Sequence, residues 1–230
     1  MLSLESGTMV ERIPKIEAIQ ESDPAPLNEE TFVYGLHFLC DRDPDLAQIL
    51  AKLGQPPMWA REPGFPTLIH IILEQQVSLA SAKAAYDRLL EAVSPLTPAR
   101  FLELDDATLK TIGFSRQKTA YGRNLARTIV SGRLNMAMLC TMDDTAVRSR
   151  LLKVKGIGPW TANIYLLIAL RRPDVWPRED LALAVAAQGV KRLESCPTPD
   201  ELDVLSTSWK PWRAVAARLL WHYYLSKRMQ

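Results

Sequence analysis

Three observations predict an all-α fold for this chain. Apolar residues recur at helical spacing through most of its length. The periodic runs open on Ser, Thr, Asp or Asn and close on Gly or Pro, the residues that start and stop helices. Between those signals no stretch of period-two alternation survives, so no strand is predicted, and no internal repeat is found.

Residues 1–27 carry charge, serine and two prolines, Pro24 and Pro26, and read as a loosely attached arm. A helix then starts near Asn28 or Glu29, with Phe32, Leu36 and Leu39 on one apolar face. A short helix over 45–53 stops at Gly54 and the Pro56-Pro57 pair. Pro66 or Thr67 opens a long apolar helix through Leu73, and Ser78 caps the next, which runs to about Val93. Pro95 and Pro98 break the chain ahead of two short helices, 98–104 and 106–112, with Asp105 as the cap between them and Gly113 as the stop. The spacing predicts a helix over 115–130 with Ala120, Leu125 and Ile129 inward, ending at Gly132. Asp143 or Asp144 opens the next, and helices over 160–170, 181–193, 199–205 and 211–226 complete the chain.

Composition narrows the function. The 230 residues are 47% hydrophobic, ordinary for a globular protein. The longest apolar run, 164–170, is far too short to span a membrane. Glu5 and Glu11 interrupt the N-terminus, so it does not read as a secretory signal, and an intracellular protein is expected. With 28 basic against 26 acidic residues, net charge does not advertise a nucleic-acid binder. A basic run, Arg116, Lys118, Arg123 and Arg127, reads first as a solvated helix face. Cys40, Cys140 and Cys196 form no CxxC pair and His37, His70 and His222 are scattered, which argues against a metal site, an iron–sulfur cluster or a histidine triad.

The stretch from Leu151 to Leu183, LLKVKGIGPWTANIYLLIALRRPDVWPREDLAL, carries the most information. Gly156 and Gly158 flank Ile157 where one helical run stops and the next begins, and Pro159 sits where a first turn tolerates proline. Close glycines at a helix N-terminus leave backbone N–H groups facing outward as an anion site, which suits a phosphate diester. About twenty residues later comes Asp180.

Together with IILEQQVSLASA (71–82), TIGFSRQKTAY (111–121) and WKPWRAVAARLLWHY (209–223), this stretch resembles the helix-hairpin-helix (HhH-GPD) superfamily of DNA glycosylases. The branch it is most similar to is the alkyladenine type, the 3-methyladenine DNA glycosylase II group. The resemblance implies one glycosylase domain over 28–230 in two helical lobes, with a DNA-binding cleft between them. The middle lobe would cover about 95–175 and the other 28–94 with 176–230, and the N-terminal β-domain of some bacterial members would be missing.

The resemblance also implies roles. Asp180 would stabilise an oxocarbenium-like sugar; its bland role is to cap the helix that follows, and Glu179 is the competing carboxylate. Gly156, Gly158 and the Thr161 N–H would hold phosphate, with Lys155 adding charge. Trp160 and Trp221 would wall the extruded base, unless they are core filler, and Trp59 and Trp176 are further candidates. Ile164 replaces a tyrosine found in one type of relative. Gln76 would wedge into the duplex, with Gln75 beside it; a helix-end pair satisfying backbone groups is the alternative. No cofactor is expected beyond a monovalent cation, which some relatives hold on carbonyls near Leu152, Val154 and Ile157. Bifunctional relatives place a lysine where Trp160 stands, so strand cleavage is not expected. The implied protein is a monomeric, monofunctional glycosylase that releases 3-methyladenine and 7-methylguanine from double-stranded DNA. The same fold acting on deaminated or etheno-modified bases, or a non-catalytic DNA-binding protein, are the alternatives.

Overall fold

The computed structural model describes residues 25–228, and every regular element among them is helical. The order is α1 (Glu29–Cys40), α2 (Pro44–Leu53), α3 (Phe65–Glu74), α4 (Leu79–Ala92), α5 (Pro98–Glu103), α6 (Asp106–Ile112), α7 (Arg116–Val130), α8 (Met136–Leu139), α9 (Asp144–Leu152), α10 (Pro159–Ile168), α11 (Leu181–Lys191), α12 (Pro199–Ser206) and α13 (Arg213–Arg228). Short α8 and a 3-10 turn at Thr207–Trp209 were not expected from the periodicity, which cannot register a single turn.

Local chemistry sets the ends. Asn28, Asp43, Ser78, Asp105, Ser115, Asp143 and Asp180 each accept a backbone N–H from the first turn of the helix they cap. Gly113 closes α6 with φ +117°, the left-handed conformation that glycine adopts without steric cost.

The helices form two groups around one continuous core. In the first, α1, α2, α11 and α13 pack on one another, with α12 against α11. In the second, α3 packs on α4, α7 and α10, α5 and α6 lie on α7, and α9 packs on α10. The expected lobe boundary therefore moves: α3 and α4 belong with the hairpin helices, because the nearly all-apolar α3 buries itself against α10 and α7. Helix α10 is buried on almost every side, as Thr161, Ala162 and 164–168 all lie in the core.

Two further expectations are corrected. Most of the N-terminal arm lies outside the described residues, but its last residue belongs to the fold. Leu27 is buried, and its N–H donates to the Arg171 carbonyl at 2.7 Å. In α7 the inward face is Thr119, Gly122, Leu125 and Ala126, whereas Ala120 is exposed. Gly122 turns that face, since a Cβ there would sit 2.8 Å from the Phe101 ring.

Candidate nucleic-acid interface and active site

Asp180 lies where the two groups of helices meet. It is the N-cap of α11, and its Oδ1 accepts the Leu183 N–H at 3.0 Å and the Trp221 indole N–H at 3.2 Å. Its Oδ2 accepts the Trp160 indole N–H at 2.9 Å. Trp160 comes from the first turn of α10, Trp221 from α13, and the carboxylate itself is only 8% exposed. Capping and a place in a candidate site are thus the same geometry. Glu179 is exposed and has no part in it.

Both tryptophans expected to wall a base are half-buried at this point, each with its ring on the core and its N–H on the carboxylate. Trp59 joins them, its ring centroid 6.3 Å from that of Trp221 at 73°. Trp176 does not. It is buried against Trp209, 5.5 Å between centroids, and is core filler. Ile164 is likewise buried in α10.

The hairpin stands between α9 and α10. Pro159, Trp160 and Thr161 are the first three residues of α10, so the Trp160 and Thr161 N–H groups have no intrahelical acceptor, and no side chain caps this end. The buried Thr161 hydroxyl faces inward and accepts from Gln75. Lys153 and Lys155 are exposed beside the turn.

Gln76, in the turn from α3 to α4, is exposed and left-handed at φ +55°. Next to it Val77 and Leu79 are 46% and 58% exposed, an apolar tip on a surface turn. Gln75 behaves differently: its amide donates to the Gly156 carbonyl at 3.0 Å and to the Thr161 hydroxyl at 2.9 Å. The backbone-satisfying role thus falls to Gln75, which clamps the α3–α4 turn to the hairpin, and Gln76 stands exposed at the tip.

Helix α7 backs the hairpin. The Asn124 amide donates to the Lys155 carbonyl at 3.1 Å, and the Lys118 ammonium to the Leu73 carbonyl at 2.7 Å, with burial pulling the Lys118 pKa down. Arg123 pairs with Asp106 and the Leu104 carbonyl. Half of the basic run therefore has structural partners, and Arg116 and Arg127 remain exposed. Sequence reasoning missed Asn124, whereas Gln75 takes the backbone-satisfying role that was the alternative for the glutamine pair.

The family model of HhH-GPD superfamily base excision DNA repair proteins matches residues 69–214, from the middle of α3 to the start of α13, and so takes in the α3–α4 turn, the hairpin and Asp180. The chain belongs to the HhH-GPD superfamily. It is 30% identical to the Bacillus subtilis (strain 168) protein YfjP over 67% of its own length and 56% of that protein's. It is 28% identical to the Bacillus subtilis (strain 168) DNA-3-methyladenine glycosylase over 87% of this chain and 75% of the relative. Among solved structures, the 3-methyladenine DNA glycosylase Mag1 of Schizosaccharomyces pombe, in complex with abasic DNA, superposes with a TM-score of 0.75 at 24% identity, covering 83% of this chain and 95% of that one. The fold is therefore shared over most of the chain, while the chain spans little more than half of the first relative.

In this HhH-GPD hairpin the two glycines have different reasons to be glycine. Gly156 has φ +102°, and a Cβ there would lie 2.3 Å from Cγ of Tyr121, so no other residue fits. Gly158 has φ −93°, and a Cβ there would meet nothing within 4 Å. The fold does not require glycine at 158; the open space in front of the α10 N-terminus does the explaining. Among the described residues no group of three or more His, Cys, Asp and Glu could hold a metal ion, and the three cysteines stand apart as free thiols. No described helix is long and apolar enough to cross a membrane.

Proposed function

We propose that this chain is a monofunctional DNA glycosylase that extrudes alkylated purines such as 3-methyladenine and 7-methylguanine from double-stranded DNA, and hydrolyses their N-glycosidic bond. The observation that carries this reading is a buried carboxylate with an indole N–H on each oxygen, placed beside a helix N-terminus open to an anion. A protein that only bound DNA would need the hairpin but not the carboxylate.

In this reading the N–H groups of Trp160 and Thr161 at the α10 N-terminus take a phosphate of the damaged strand, with Gly158 leaving it room and Lys155 adding charge. Gln76 fills the gap the extruded nucleotide leaves, and the apolar tip beside it supports the wedge. The base stacks against Trp160 and Trp221, whose electron-rich faces favour a cationic purine by about 0.5–2 kcal/mol. As the base departs, the sugar becomes cationic, and Asp180 stabilises it and orients or deprotonates the attacking water. The bonding electrons leave with the base, which an alkyl group has already made a good leaving group. At the hairpin, a monovalent cation would be held on the carbonyls near Leu152, Val154 and Ile157, of which Val154 O already accepts the Ile157 N–H at 3.0 Å and keeps a second lone pair. When bound, such an ion would stiffen the turn beside the phosphate; the reaction itself uses no cofactor. The protein would work as a monomer, inside the cell.

The experiment is base release from methylated DNA, with etheno-adenine and hypoxanthine duplexes alongside. We expect methylated purines to be released without strand nicking, since an indole at 160 has no amine to attack the sugar. No release from any of the substrates, with DNA still bound, would favour a pure binder. Borohydride trapping of a covalent adduct in good yield would overturn the monofunctional assignment.

A further inference from the structure

Arg218 is a charge sealed inside the molecule. Its residue is 0% exposed, and it forms no ion pair with a carboxylate among the described residues. Instead the guanidinium donates to three backbone carbonyls: Nε to Met58 at 2.7 Å, Nη1 to Ala214 at 2.9 Å and Nη2 to Leu167 at 2.9 Å. Burial pulls its pKa down to about 9. An apolar side chain would cost less to bury than an unpaired cation, so the arrangement calls for a reason.

The three acceptors differ in their need for it. Ala214 is one turn back on α13 itself, and Leu167 lies near the end of α10. Met58 belongs to the stretch between α2 and α3, residues 54–64, which has no regular structure of its own. Arg218 therefore ties that stretch to the core at Met58. The next residue, Trp59, has φ +48°, a conformation an aromatic residue rarely adopts and keeps only where its surroundings enforce it. Held this way, its ring meets Trp221 at 6.3 Å and 73°, an edge-to-face contact. Trp221 lies three residues beyond Arg218 on α13 and donates its N–H to Asp180. A short chain of contacts thus leads from the buried cation through Met58, Trp59 and Trp221 to the carboxylate.

Resting on the glycosylase reading above, we propose that Trp59, held by Arg218 through the Met58 carbonyl, is a specificity-determining wall of the base pocket. The tilt of the Trp221 indole is fixed at one end by its bond to Asp180 and along its ring by Trp59. Attraction of a cation to an indole depends on the cation lying over the ring face, whereas a neutral base gains mainly by contact area. A Trp221 that can rock keeps most of its contact area and loses the aligned face. Trp59 therefore sets the preference for cationic over neutral bases, and Arg218 is a positioning residue that acts through it.

The test uses single-turnover release of a cationic base, 7-methylguanine, and a neutral one, hypoxanthine, by the full chain and by W59G, W59F and R218K. W59G removes the ring and relieves the left-handed backbone, so its thermal stability and its affinity for abasic DNA should stay near those of the parent. Its ratio of cationic to neutral release should fall roughly 2- to 30-fold, the range spanned by a lost cation–π contact, and W59F should recover part of it. R218K should lower the ratio in the same direction. Equal loss of both activities in W59G, or an unchanged ratio, overturns the proposal. An R218K protein that folds with the parental ratio removes Arg218 from it, and one that does not fold leaves the decision to W59G and W59F. If the parent itself releases neither base, the glycosylase reading fails first; if the parent is active and only the ratio fails to move, the fault lies with this inference alone.

Discussion

Replacing Asp180 by asparagine separates its two roles, and the geometry says how. Asparagine caps a helix about as well as aspartate. Oδ1 already takes two donors, Leu183 N–H and the Trp221 indole, and Oδ2 one, the Trp160 indole. The amide oxygen should therefore keep the Oδ1 position, putting the NH2 group against the Trp160 N–H. Two donors then face each other, at a cost of about 1–3 kcal/mol. Folding stability should fall by about that amount. Catalysis should not escape. A carboxylate about 4 Å from a sugar cation is worth about 4 kcal/mol at an effective dielectric constant of about 20. That is two to three powers of ten in rate. Single-turnover release should be measured on a lesion that needs enzymatic help, because a labile base departs unaided. Abasic-DNA affinity and thermal unfolding serve as controls. Release within a few-fold of the parent by a folded, DNA-binding Asp180→Asn protein would refute the assignment.

The hairpin glycines should respond oppositely to substitution. Gly156→Ala places a methyl inside the Tyr121 ring in a left-handed conformation, and should lower stability by roughly 2 kcal/mol or more, read by denaturant unfolding. Gly158→Asp meets no protein atom; it should leave stability nearly unchanged but weaken binding to every DNA sequence alike, read by affinity titration on unrelated duplexes, and a loss confined to one sequence would argue against a backbone-phosphate role. Gln75→Ala removes two hydrogen bonds across the clamp, so it should cost about 1–3 kcal/mol of stability and reduce DNA binding through the loosened hairpin. Gln76→Ala, at an exposed tip, should leave stability within about 0.5 kcal/mol and act on base extrusion alone.

What could be read from the sequence was local. The caps at Ser78, Asp105 and Asp143 and the stop at Gly113 depend on residues within one turn, and the structure has them as expected. The assignment of helices to lobes depends on which apolar faces meet, and periodicity is silent on that: α3 carries apolar residues nearly all round, so nothing in its pattern says which neighbours it chooses. Misplacing Ala120 on the inside of α7 was an error of one position, which on a helix is a rotation of about 100°. The four tryptophan candidates could not be separated by composition either. Trp176 packs on the buried Trp209 and Trp59 on the half-buried Trp221, contacts between segments far apart in the sequence. For Gln75 the backbone-satisfying role was legible but its partners were not, since they lie 81 and 86 residues away.

In the proposed reaction, the arrangement around Asp180 would make Oδ2 the oxygen that faces the sugar. Oδ1 is committed to two donors, one of which starts α11, so moving it would loosen both the helix and the Trp221 wall. Oδ2 has a single protein donor, the Trp160 indole at 2.9 Å, and keeps lone-pair capacity for a second partner. It is also the oxygen on the side of α10, whose N-terminus is the candidate phosphate site. A nucleotide held there by its phosphate would bring its sugar toward Oδ2 rather than Oδ1. The cap is thus what leaves one oxygen free: by fixing Oδ1 it aims Oδ2. The same geometry explains why asparagine should be so damaging, since the amide nitrogen would occupy the Oδ2 position and present N–H donors to a sugar carrying positive charge.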